Sequence, residues 1–247
     1  MKLVRFAFYV FVLLFVWQII SYFLKTSSFP LASEVILDIY GNFTYYCQEA
    51  FETFIIILKS LIPAVLFGYV LAFVLDYSKL TSQLLNPLIN FTQILPKTAL
   101  LPLFVSIPLL GYSNRTKFLI IFLICFYPVF IEVYNGLNLT GKKYLKLFKI
   151  HNASQRDIIV KLKIPSTIPF LISGLRISIL YSILGAVTSE IIVGGSGLGF
   201  LIDDSSQRLN FIRTYGGLVI VAVFGYISLL IFTLLTRKIN NKYTYES

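Results

Sequence analysis

Charge is what this sequence has least of. Asp, Glu, Lys and Arg make up 13% of its 247 residues, about half the share of a water-soluble domain, so an ordinary soluble globular fold is excluded. Histidine is nearly missing: His151 is the single one, and no His-based metal cluster can be built around it. The two cysteines, Cys47 and Cys125, fall in unlike settings, one in a polar stretch and one inside an apolar segment, which argues against a disulfide. Nor does the chain show paired carboxylates or a nucleophile set beside a base, so a membrane enzyme has nothing to work with. No internal repeat and no low-complexity linker is visible, and residues 1–247 read as a single transmembrane domain.

What is abundant is apolar: 57% of the residues are hydrophobic and the mean hydropathy is +0.82. Six stretches approach the roughly 20 apolar residues that carry a helix across a bilayer. They are Phe6 to Leu24, Thr53 to Leu75, Pro87 to Leu110, Phe118 to Tyr134, Ile168 to Val193 and Gly216 to Thr236. The expected fold class is all-α, a polytopic membrane protein of about six transmembrane helices. The first stretch exceeds a signal-peptide core and lacks a small-x-small cleavage site, so it is kept as a helix. The third is interrupted by Pro96, Pro102 and Pro108 and holds Asn90, Gln93 and Lys97.

The 21 Lys and Arg outnumber the 11 Asp and Glu, yet this is not read as a nucleic-acid footprint, because the cations sort by side. With both termini cytoplasmic, Lys142, Lys143, Lys146, Lys149, Arg156, Lys161 and Lys163 fall inside, and Glu34, Asp38, Glu49, Glu52, Asp203 and Asp204 fall outside. Arg115 and Lys117 run against the bias.

The largest polar interruption, Asn135 to Ile164, is too short for a catalytic domain. Within it, Ser154 to Ile164 (SQRDIIVKLKI) sets Ile158, Ile159 and Leu162 near one helical face, with Arg156, Lys161 and Lys163 around the others. Asn152 or Ser154 can cap its start, and Pro165 ends it. Two readings stay open on periodicity alone: an amphipathic helix across the cytoplasmic mouth, or a basic linker held near anionic membrane lipid. Gly136 to Lys143 (GLNLTGKK) is one residue short of a phosphate loop, lacks its Mg-binding hydroxyl and follows an apolar helix rather than a strand. The energy source is expected in another chain.

From here the residues resemble a family. Asn152-Ala153-Ser154, Ile164-Pro165, Ile168-Pro169, Gly174-Leu175-Arg176, Glu190 and Gly197-Leu198-Gly199 follow, in order, the permease subunits of binding-protein-dependent ABC importers, in the nitrate, sulfonate and taurine branch. Pro87, Ile94-Leu95-Pro96, Leu101-Pro102-Leu103, Gly111, Lys117, Tyr127-Pro128 and Gly136 agree with it upstream, so the resemblance covers residues 53–237. The family's cytoplasmic loop begins Glu-Ala-Ala, continues to a Gly and reaches a Pro thirteen residues later; with Asn152 in the glycine place, Pro165 has that spacing. Lys146, Leu147 and Phe148 replace the Glu-Ala-Ala start, which changes the electrostatics of the loop. Asn in place of Gly still tolerates a left-handed backbone.

The resemblance implies a type I importer permease, paired as a homodimer, whose loop 142–165 couples to cytoplasmic ABC ATPase subunits. ATP and Mg would be bound by those partners, with no cofactor and no metal on this chain, and an extracellular solute-binding protein would deliver a small polar solute, expected to be anionic, with nitrate, sulfonates, taurine and thiamine or riboflavin precursors all open. It places the protein in the plasma membrane of a prokaryote. The coupling residues would be Asn152, Ala153, Ser154, Ile158, Ile159, Pro165 and Pro169. Four residues are pathway or gate candidates, each with a plainer alternative. Lys97 and Pro102 shape either a pathway or mere packing; Arg176 either meets solute or snorkels to headgroups. Glu190 either gates or ties its helix end to the GGSGLG turn. Arg176 and Glu190 lie about 21 Å apart along one helix and so cannot pair. Gly197, Leu198 and Gly199 are either a plain outer turn or part of the surface where the binding protein docks. The rival class is a nucleotide-independent channel or ion-coupled secondary carrier, whose marks are several buried charges or an inverted repeat, neither evident here.

Overall fold

The computed structural model describes residues 2–77 and 96–244, with positions 83, 87 and 91 between them. Eight helices are numbered here. They are α1 (Lys2–Leu24), α2 (Ala32–Gly41), α3 (Phe43–Tyr77), α4 (Leu101–Ser106), α5 (Asn114–Ile150), α6 (Gln155–Val193), α7 (Leu198–Gln207) and α8 (Phe211–Thr244). No strand occurs among the described residues. Four of the helices are long and apolar enough to cross a membrane: α3, α5 over Asn114–Leu139, α6, and α8 over Phe211–Arg237. An all-α membrane fold is thereby borne out, and α1 adds a shorter apolar run, Phe8–Leu24.

The third expected span is not one helix. Lys97–Leu100 is a 3-10 turn and α4 has only 6 residues. Pro102 stands at the start of α4, where its missing N–H has no intrahelical partner to lose. Pro108 stops it, because the residue before a proline is pushed from helical to extended backbone, and Ile107 has ψ 120°. Asn90 and Gln93 lie outside the described residues. By contrast Pro63, Pro128 and Pro169 sit within α3, α5 and α6 without ending them.

The core lies where α3, α5 and α6 cross. Ala64, Ala72, Cys125, Val129, Phe130, Val133 and Ala186 are buried there, with Val221 and Phe224 of α8 packed against them. In lipid, helices gain little from hiding apolar surface and associate through close packing and hydrogen bonds, which favours small residues at crossings. Gly68 and Gly174 supply them: a Cβ at Gly68 would stand 2.5 Å from the Phe126 carbonyl oxygen, and one at Gly174 2.9 Å from the Val129 Cα. Across the α5–α6 seam the Ser178 hydroxyl donates to the Cys125 carbonyl at 2.8 Å, and the Cys125 thiol donates to the Ser178 carbonyl at 3.4 Å. Both cysteines are free, as their settings imply. Because α3 and α5 both run from one end to the other and α6 runs back between the same two ends, the bundle has two functional ends. One carries the loop 151–163; the other carries the turn 194–197.

Candidate functional site

At the loop end, α5 closes at His151 and the chain reverses through Asn152, which adopts φ 49°. An asparagine accepts this left-handed backbone more easily than other non-glycine residues, so the spacing argument for position 152 corresponds to a real turn. The Ser154 side chain then caps α6, accepting from the Asp157 N–H at 3.1 Å. After one α-turn the helix widens into a π segment, Ile158–Lys163, and the Ile164 N–H donates five residues back to Ile159. Pro165, which has no N–H to continue the regular ladder, follows directly. The loop is therefore the helical beginning of α6 itself.

Its faces divide cleanly. Ile158 and Leu162 are buried against the bundle, Ile159 is half-buried, and Ser154, Gln155, Arg156, Val160 and Lys161 are exposed. Lys163 reaches Asp76 at the end of α3 in an ion pair of 2.5 Å, with the two side chains only 18% and 16% exposed. The Tyr69 and Thr167 hydroxyls share a second α3–α6 link of 3.3 Å. Sequence reasoning assigns no role to Asp76; its position facing a strongly basic loop was the available sign.

At the turn end, α6 finishes through Gly194 (φ 74°) and Gly195 (φ 91°), and Gly197 (φ 108°) leads into α7. Glu190 is 1% exposed, and its Oε2 accepts from the Thr53 hydroxyl at 3.1 Å and from the Gly199 N–H at 2.8 Å. Thr53 Oγ1 in turn accepts from the Leu198 N–H at 2.8 Å, and Glu49 accepts from the Gly197 N–H at 2.6 Å. The free amides that open α7 are thus capped by side chains of α3 and α6, two of them carboxylates at the positive end of the helix. Lys117, 3% exposed, donates from Nζ to the Ser196 carbonyl at 3.0 Å. That explains why Lys117 runs against the charge bias: it is an internal strut of the turn. Glu49 and Thr53, which sequence reasoning did not single out, carry half of this network. Beside it, Asp38 joins α2 to α3 and α8 by accepting from the Tyr46 hydroxyl at 2.7 Å and pairing with Arg213 at 3.6 Å.

The remaining candidates do not converge. Lys97 lies over the Tyr127 ring at 5.9 Å, and Pro102 is exposed at the start of α4. Pro165 and Pro169 are half-buried near the start of α6, and Ala153 is half-buried beside Asn152. Arg176 is exposed midway along α6, with no hydrogen bond or ion pair among the described residues.

Comparison with known proteins places these features. Residues 64–243 match the model of the family described as binding-protein-dependent transport system inner membrane component. A probable ABC transporter permease protein of Haemophilus influenzae is 29% identical over 212 residues, spanning 85% of this chain and 86% of that protein. The nitrate import permease protein of Synechococcus elongatus is 28% identical over 231 residues, spanning 84% of this chain and 81% of its own. Among solved structures, an amino acid ABC transporter crystallised with histidines superposes with a TM-score of 0.68 at 14% identity, over 83% of this chain and 97% of that one, a likeness of fold. With most of its length matched by the family model, and the loop, turn and helix order that the fold requires, this chain belongs to the binding-protein-dependent inner membrane components, the permease subunits of ABC importers.

Proposed function

We propose that the chain forms half of the membrane pathway of an ATP-driven importer for a small polar, anionic solute, and that its loop end is the contact for a cytoplasmic ABC ATPase. The observation that carries this reading is the build of residues 152–163: a left-handed Asn152, a Ser154 cap and a π segment running straight into α6. A surface pushed or pulled there moves α6 as one body, and the Lys163–Asp76 pair passes the motion to α3. ATP and Mg belong to the partner; this subunit does no covalent chemistry. Its charge bias supports cytoplasmic termini, and hence a turn end that faces an external solute-binding protein. A second copy of the chain would complete the pathway and give the exposed Arg176 face an aqueous or protein neighbour. The anionic cargo is supported by the nitrate import relative.

The test uses the exposed face of the loop. In membranes that carry the whole assembly, Arg156→Glu or Val160→Asp should abolish transport and solute-stimulated ATP hydrolysis together while leaving the chain folded. Transport that persists in both variants, or a chain recovered from its native membrane with no ATPase subunit, would point to a nucleotide-independent carrier.

A further inference from the structure

Lys59 lies within the apolar stretch of α3, six residues inside Thr53 and so about 9 Å deeper along the helix. Its side chain is exposed, with no hydrogen bond or ion pair among the described residues. A lysine within an apolar span is costly against hydrocarbon, so such groups face protein or water. The structure gives it something to face: a cleft of about 260 Å³ between α3, the amino end of α5 and the turn. Glu52, two turns back on the same side of α3, lines this cleft, together with Asn114, Arg115, Lys117 and Ser196.

The charges there are unequally engaged. Lys117 is held by the Ser196 carbonyl, and Glu190, at the floor, is held by Thr53 and Gly199. Arg115 gives one Nη1–H to the Leu109 carbonyl at 3.3 Å, which leaves the rest of its fork unassigned. Lys59 and Arg115 therefore present donors and positive charge into the cleft, with the amino end of α5 adding its partial positive charge between them. Glu52 and Glu190 are the counterweights, so the lining holds three cations against two carboxylates.

We infer that this cleft is a solute subsite for a small oxyanion, which Lys59 and Arg115 hold between them as it enters from the turn end. The inference rests on the proposed importer reading and deepens it by assigning the cargo's charged group to named residues. The cleft is smaller than the roughly 300–1,000 Å³ that holds drug-sized ligands, which suits a nitrate- or sulfonate-sized group. Two consequences separate it from a structural role for Lys59. The subsite needs a cation at position 59 and is weakened by the carboxylate at position 52, so removing the two charges should act in opposite directions.

The experiment takes the full chain assembled with its ATPase in nanodiscs and titrates sodium nitrate, methanesulfonate and phosphate against a sodium chloride background. At least one of the three anions should bind saturably. Lys59→Gln should weaken that binding about tenfold, Lys59→Arg should restore most of it, and Glu52→Gln should strengthen it by a few-fold. Arg208→Gln removes an exposed cation at the same end that is already paired with Asp204, and should change nothing. Absence of saturable binding by all three anions, equal affinity in Lys59→Gln, or equal weakening by Arg208→Gln overturns the subsite. Basal ATP hydrolysis is read in the same discs. If it stays intact while the anion result fails, the importer reading stands without the subsite; if no ATPase associates, that reading fails by itself.

Discussion

At Gly197 the presence or absence of one methyl group decides whether the turn can close. Its φ of 108° lies where side chains are rarely found, and a Cβ there would collide with the Glu190 carboxyl group that caps α7. Gly197→Ala should therefore lower the stability of the purified chain by about 2 kcal/mol or more, read as a fall in its unfolding midpoint. Gly41→Ala, where nothing stands within 4 Å of the added carbon, is the control and should be nearly neutral. Position 152 is the residue-scale case in which sequence reasoning reaches geometry. A motif spacing demanded a glycine-like turn, Asn was present instead, and the backbone is left-handed there. The roles of Thr53 and Glu49 are not legible in the sequence for a physical reason: their partners are backbone amides 145 and 148 residues away, and no local pattern encodes such a bond.

At the scale of elements, hydropathy locates the long helices well because lipid imposes a length and an apolar composition on each. It does less well between residues 87 and 110, where three prolines compete with a continuous apolar signal and the backbone breaks into a turn and a short helix. It also cannot show that the amphipathic loop and the following span are one helix, since a proline at position 165 reads as a stop. The π segment resolves that conflict by widening the helix just before the proline. The Asp76–Lys163 pair then becomes the joint between α3 and the loop. Asp76→Asn and Lys163→Gln should each reduce the coupling of ATP hydrolysis to transport. The charge-swapped double variant, Asp76→Lys with Lys163→Asp, should recover much of the loss. A double-mutant cycle on stability should give an interaction of about 1 kcal/mol. Additive losses in the cycle would mean that the pair is incidental.

For the whole molecule, scarce charge and long apolar runs identify a membrane bundle, and the ordered set from Asn152 to Gly199 identifies the permease family. The matched family model, spanning residues 64–243, agrees on both points. The chemistry of passage is less legible, because Lys59, Arg115 and Lys117 come together only when α3, α5 and the turn meet. Under the proposed function the chain is a two-ended device, with force entering at residues 152–163 and solute entering at the opposite end. Site-specific photo-crosslinking from position 156 in native membranes tests that claim most directly. The exposed Arg156 side, replaced by a photoreactive residue, should form one dominant adduct with an ABC ATPase subunit. The same probe at buried Ile158 should form none. An adduct with lipid alone at position 156, or no adduct at all, would contradict the account.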